Sequence, residues 1–161
     1  MTLIAKLLPL SNILVGLEAG SKKRVFEHAG LLFENNYGIA RSEIFDCLFA
    51  REKLGSTGLG YGVAIPHGRI RGLREARGAF LRLLEPVGFE APDGKPVSLL
   101  FVLLVPEQAT EHHLQLLSEL AQMFSDKTFR DALGTAPDAA AIAALFSDWN
   151  PHATGQRRTA V

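Results

Sequence analysis

The run Gly55-Ser56-Thr57-Gly58-Leu59-Gly60-Tyr61-Gly62-Val63-Ala64-Ile65-Pro66-His67-Gly68-Arg69 decides how the rest of the chain is read. Four of its first eight residues are glycine. Each gives up more conformational freedom on folding than any other residue, so such density implies close backbone approach or positive φ. Val63 to Ile65 reads as a short strand, with His67 just beyond its end between Pro66 and Gly68. Proline fixes φ before the histidine and glycine removes a side chain beside it, which predicts an imidazole held stiffly and open to an approaching group.

Toward the N-terminus, Ser42 begins a helix that ends near Gly55, with Ile44, Phe45, Leu48 and Phe49 inward, and it delivers Arg51, Glu52 and Lys53 to the glycine run. Before it, Ser21 caps a helix in which Val25, Phe26, Ala29, Leu32 and Phe33 recur at helical spacing and Gly38 is the stop. Lys22, Lys23 and Arg24 occupy its first turn, against the dipole preference, and read as a solvated face or a contact for an acidic partner. Ile13 to Leu17 reads as a strand.

Toward the C-terminus, Gly78 to Leu84 is a strand with Arg82 pointing outward, and Pro92, Asp93, Gly94 and Pro96 form a turn. Val97 to Val105 is almost wholly apolar, as expected of a central strand buried on both faces. Such a strand requires helices on both sides of its sheet, which sets an α/β fold. Thr110 caps a helix to about Phe124 whose inward stripe reads Leu114, Leu117, Leu120, Ala121 and Phe124, and two short helices follow over 126–133 and 137–146. Residues 1–147 make one domain, and 148–161 a polar, breaker-rich tail in which Arg157 and Arg158 read as solvated.

Composition narrows the function classes. Seventeen basic residues balance seventeen acidic ones, so no global field recruits nucleic acid or an anionic membrane, and any anion must be held locally. Cys47 is the single cysteine, which excludes an internal disulfide and a multi-cysteine metal site. No stretch has membrane-spanning length and no cleavable leader is evident, so the expected compartment is the cytoplasm.

Five histidines compete for a chemical role. His28 and His152 read as ordinary structural or tail residues. A neutral imidazole with an ordinary pKa near about 6.5 is a competent nucleophile without a helper base, and the setting of His67 suits that use. Its alternatives are a metal ligand, for which no HExxH, CxxC or His-x-His pattern exists, or a loop histidine with a satisfied hydrogen bond. His112 and His113 are adjacent on a helix and point about 100° apart. His113 shares a face with Leu116, Leu117 and Leu120 and projects toward the sheet, whereas His112 lies with Gln115 and Glu119. In the first helical turn, His113 is equally a partly buried structural residue or an anion ligand. Arg51, Arg69, Ser56 and Thr57 bracket His67 with groups suited to phosphate oxygens, although arginines beside loops are ordinarily solvated. The nucleotide-binding pattern GxxxxGK[ST] is absent.

The run Glu52 to Gly68, with Leu59-Gly60 and Val63-Ala64-Ile65-Pro66-His67-Gly68, resembles the phosphorylation-site signature of the mannitol/fructose-type enzyme IIA domains of the bacterial phosphotransferase system. Arg51 to Gly58 and Leu99 to Pro106 are similar to its nitrogen-regulatory branch. The resemblance spans about residues 1 to 147 and implies a mannitol-type fold, a mixed β-sheet sandwiched by helices. It further implies that His67 accepts a phosphoryl group on Nε2 from a histidine phosphocarrier protein, with His113 as second active-site histidine and Arg51 as active-site arginine. Ser56, Thr57 and Arg69 would stabilise the phosphoryl charge, and Leu59, Tyr61 and Ile70 would form an apolar docking rim. No cofactor or metal is implied. The expected role is regulatory, acting on targets such as potassium transporters or sensor kinases; a sugar-specific component that feeds a IIB domain and an unphosphorylated binding module are the alternatives.

Overall fold

The computed structural model describes residues 2–108 and 110–150. His152, Arg157 and Arg158 therefore lie outside the described residues, as do Ala109 and the side chain of Thr110, the expected helix cap. Two short 3-10 turns, Ala5–Leu7 and Leu10–Asn12, lead into β1 (Ile13–Leu17). The chain continues through α1 (Lys22–Tyr37), α2 (Arg41–Lys53), β2 (Gly58–Gly60), β3 (Val63–Ala64), β4 (His67–Ile70), β5 (Arg77–Val87) and β6 (Val97–Pro106). It closes with α3 (Thr110–Ser125), α4 (Lys127–Thr135) and α5 (Ala139–Asp148).

The sheet is mixed. Its order is β1-β5-β6-β3-β2, with β4 also on β6. β1 runs parallel to β5, β5 antiparallel to β6, and β3 and β4 parallel to β6. Nearly every residue of β6 is buried, because alternate side chains serve two cores. Leu99, Phe101, Leu103 and Val105 pack with Leu116, Leu120, Phe129 and Phe146 of α3, α4 and α5. Leu100, Val102 and Leu104 pack with Phe26, Phe33, Ile44 and Leu48 of α1 and α2. The α/β sandwich expected from the apolar run is the fold observed.

β3 and β4 are two pieces of one extended segment. Val63 and Ala64 oppose Leu99 and Leu100, and His67 and Gly68 oppose Leu103 and Leu104, so the register on β6 is the same on both sides of Ile65-Pro66. Pro66 has no N–H to give a ladder, but its carbonyl accepts the Leu103 N–H at 2.9 Å, which carries the pairing across the interruption. β2 and β4 were not expected from the sequence, since glycine, proline and charged residues there carry no strand pattern.

Three local readings change. The inward stripe of α3 is Leu116, Leu120, Met123 and Phe124, with Leu117 partly buried, while Leu114 is 67% exposed and Ala121 is exposed. The helical phase runs through His113 rather than Leu114. Arg82 does not simply point outward: half-buried, it donates from Nη1 to the Leu133 and Ala136 carbonyls at 2.8 Å and holds the end of α4 to the sheet. Lys22 is not part of a solvated face; its ammonium lies 2.9 Å from Glu52. Among the described residues, no helix is long and apolar enough to cross a membrane.

Candidate functional site

His67 opens β4, and strand alternation places it and Arg69 on one face of the sheet and Gly68 and Ile70 on the other. The first face carries α3, and there the His67 ring stands perpendicular to that of His113, with centroids 5.5 Å apart. His113 is buried in the first turn of α3 on the Leu116 and Leu120 side, as its spacing predicted. On the opposite face a Cβ at residue 68 would collide with the Cys47 thiol. The missing side chain therefore admits α2 to the back of the strand; it is not what opens the imidazole.

The orientation of the ring is fixed by its own strand. His67 Nδ1 lies 2.8 Å from the Ile65 carbonyl oxygen. A carbonyl can only accept, so Nδ1 carries the proton and Nε2 keeps a free lone pair. Burial pushes the His67 pKa below its ordinary value, and Arg51 adds to this, while the Ile65 bond and Glu52 work in the other direction. Burial also lowers the pKa of His113, helped by the charges of His67 and Arg69. Two neutral imidazoles thus face one another at neutral pH. Among the described residues the buried Nδ1 of His113 has no hydrogen-bond partner. An unsatisfied buried polar atom costs about 1–3 kcal/mol.

The flanking residues divide by what they already hold. Arg51 Nη1 donates to the Gly55 carbonyl at 2.9 Å across the end of α2, and its charge reaches His67. Arg69 Nη1 donates to the Glu107 carbonyl at 3.3 Å and its charge reaches His113. Ser56 Oγ donates to the Phe89 carbonyl at 2.7 Å and accepts the Gly58 N–H at 3.0 Å. Thr57 Oγ1 donates to Glu52 Oε1 at 2.6 Å. Both hydroxyls are thus engaged in shaping the loop.

The expected apolar rim is only partly present. Leu59 and Tyr61 are 41% and 70% exposed, but Ile70 is 3% exposed, because its position in β4 turns it into the α1/α2 core. Tyr61 sits at φ 59°, between Gly60 and Gly62 at 92° and 79°, a conformation unusual for an aromatic residue. The Asp93 carboxylate holds it by accepting its N–H at 2.9 Å, and the Arg130 guanidinium lies 4.4 Å from its ring centre. Among the described residues no group of three histidine, cysteine, aspartate or glutamate side chains could hold a metal ion.

Glu52 carries no chemistry of its own in the sequence pattern. It is 8% exposed, and it continues the four-residue spacing of buried Ile44 and Leu48 along α2. That spacing was the available signal.

The mixed α/β sandwich thus sets His67 at the start of a strand with His113 against it, and brings the charge of Arg51 to the first ring and that of Arg69 to the second. The description "Phosphoenolpyruvate-dependent sugar phosphotransferase system, EIIA 2" matches residues 6–149, and the chain belongs to that family. It is 47% identical over 149 residues to the nitrogen regulatory protein of Pseudomonas aeruginosa, a match that covers 92% of this chain and 97% of that one. The crystal structure of nitrogen regulatory protein IIA-Ntr from Neisseria meningitidis has a TM-score of 0.85 at 59% identity, covering 89% of this chain and 99% of that one. The fold is also that of the mannitol enzyme IIA from Escherichia coli, with a TM-score of 0.72 at 21% identity, over 85% of this chain and 96% of the other. The family and the mannitol-type fold expected from the sequence are those found.

Proposed function

We propose that this protein is a regulatory phosphocarrier, in which His67 takes a phosphoryl group from the phosphohistidine of a small histidine phosphocarrier protein and its phosphorylation state selects regulatory partners. The observation that carries this reading is the 2.8 Å contact between His67 Nδ1 and the Ile65 carbonyl, which leaves Nε2 as the nucleophile. In the transfer, the Nε2 lone pair forms the new N–P bond while the donor's N–P bond breaks and its electron pair returns to the donor imidazole. Nδ1 keeps its proton, so no general base is needed, and the reaction runs equally in reverse.

Charge stabilisation falls to Arg51, Arg69 and the His113 ring that stands against His67. Ser56 and Thr57 contribute through the loop they shape. Leu59 and Tyr61 form the exposed apolar contact for the carrier, without Ile70. The regulatory rather than sugar-specific reading is favoured by the similarity to proteins named for nitrogen regulation. Its targets would be cytoplasmic partners such as sensor kinases or the inner faces of potassium transporters.

The test is incubation with phosphoenolpyruvate, enzyme I and the histidine carrier, followed by intact mass before and after acid. Wild type should gain an acid-labile phosphate and His67→Ala none. No phosphate on wild type, with a phosphorylated control in the same tube, would overturn the proposal. Passage of the phosphate to a IIB domain would reassign the protein to sugar transport.

A further inference from the structure

We infer that Glu52 is a positioning residue for His67, acting through Thr57 and Ile65 to keep the imidazole in the orientation and tautomer that leave Nε2 free; this role rests on the phosphocarrier reading above. A buried carboxylate is costly unless its oxygens are fully engaged. Those of Glu52 converge largely on one residue. Oε1 accepts the Thr57 hydroxyl at 2.6 Å, and the Thr57 N–H lies 3.1 Å from Oε2 and 3.3 Å from Oε1. Oε2 also receives the Lys22 ammonium at 2.9 Å, which neutralises the carboxylate from α1.

From Thr57 the connection continues without a gap. The Thr57 carbonyl accepts the Ile65 N–H at 3.0 Å, and the Ile65 carbonyl accepts the His67 Nδ1–H at 2.8 Å. Thr57 is held at both its N–H and its C=O, and the Ile65–Pro66 peptide lies between the Ile65 N–H, bonded to Thr57, and the Pro66 carbonyl, bonded to Leu103 of β6, so the Ile65 oxygen is placed from the carboxylate and the sheet together. The coupling is geometric, because the N–H and C=O of one residue belong to different peptide units. A purely structural ion pair would need only Lys22 and Glu52. The grip on Thr57, at the entrance to the glycine run, is what extends it to the ring.

There is also a direct charge effect. When Nε2 gains a phosphoryl group and Nδ1 keeps its proton, the ring becomes cationic, and the negative charge of Glu52 is among those that favour this form against the opposing charge of Arg51. Loss of the carboxylate should thus disturb both the resting tautomer and the transfer step.

The experiment compares wild type, Glu52→Gln, Thr57→Val and Glu90→Gln by the ring nitrogen chemical shifts of His67 and by the rate of phosphoryl uptake from the carrier. The amide introduced by Glu52→Gln would present only one acceptor oxygen to Thr57. Glu90 is an exposed carboxylate 3.6 Å from Lys22 with no bond to Thr57, and serves as the control for simple loss of charge. In wild type the Nδ1–H tautomer should dominate. In Glu52→Gln the Nε2–H tautomer should appear and uptake should fall by about tenfold to a hundredfold, the scale of a small misplacement of a reacting group. Thr57→Val should move both readouts in the same direction by less, and Glu90→Gln should move neither. A folded Glu52→Gln with wild-type ring shifts and rate would overturn the inference. Should Glu52→Gln fail to fold, Thr57→Val decides by the same two readouts. Should wild type take no phosphate, the phosphocarrier reading falls, while the ring shifts of the variants still uphold or overturn the positioning role.

Discussion

Cys47 and Gly68 share one small space at the back of the histidine strand, and the thiol donates to the Arg69 carbonyl at 3.2 Å there. Gly68→Ala should therefore cost about 1–3 kcal/mol by overpacking a fixed backbone, and Cys47→Ala in the same chain should recover part of the loss. Urea midpoints of the two single variants and the double variant check this; additive losses would count against the shared space. The density of glycine announced a close approach but not its partner, because α2 reaches the strand only in the folded chain. The two facing imidazoles give a second prediction. Burial holds both below the ordinary value of 6.5, so as pH falls past that value the unfolded chain binds protons that the folded chain does not. Stability then declines with falling pH until the folded pKa values are passed. His67→Ala should flatten part of that slope in urea unfolding followed from neutral to mildly acid pH.

Among the elements, α4 shows how a cap reaches beyond its own helix. Asp126 Oδ1 accepts the Thr128 and Phe129 N–H groups, and Oδ2 accepts the Trp149 indole N–H at 3.3 Å. Asp126→Ala should lower stability by about 1–2 kcal/mol and change the emission of Trp149, the single tryptophan; unchanged fluorescence would separate the cap from the indole contact. Elements with strong periodicity were legible from sequence. Val25, Phe26, Ala29, Leu32 and Phe33 of α1 are all buried, and the apolar run of β6 is the central strand. α3 was found but its phase was misjudged, since several leucines around the helix let Leu114 compete with Leu116 for the inward position. β4 was illegible: four residues containing histidine, glycine and arginine have no strand signal until β6 supplies a partner.

For the whole molecule, the formal charge is zero and the sequence pI about 7.0. A phosphoryl group on His67 brings up to about two negative charges, one of them offset where the ring keeps its Nδ1 proton, so the modified protein should still run measurably toward the anode in a native gel near neutral pH and return after acid treatment. No mobility change in protein shown by mass to carry phosphate would mean that another group compensates the charge. Fold class and family were legible because the glycine run and the Val97–Val105 strand are contiguous in sequence. The candidate site was less so: the turn of His113 toward the sheet was legible from its spacing, but the grip of Glu52 on Thr57 and the escape of Ile70 into the core depend on elements meeting in space.

The shared register of Val63–Ala64 and His67–Ile70 on β6 has a consequence for which changes in chain length the protein can absorb. One residue inserted or deleted between Ala64 and His67 would exchange the faces of everything after it, turning the imidazole toward α2 and Gly68 toward α3. Between Ile70 and Ala76 the connection is mostly exposed, with Arg71, Gly72, Arg74 and Glu75 at the surface, and there an added residue leaves the sheet intact. Insertions and deletions should therefore accumulate in descendants of this chain after Ile70 and be purged before His67.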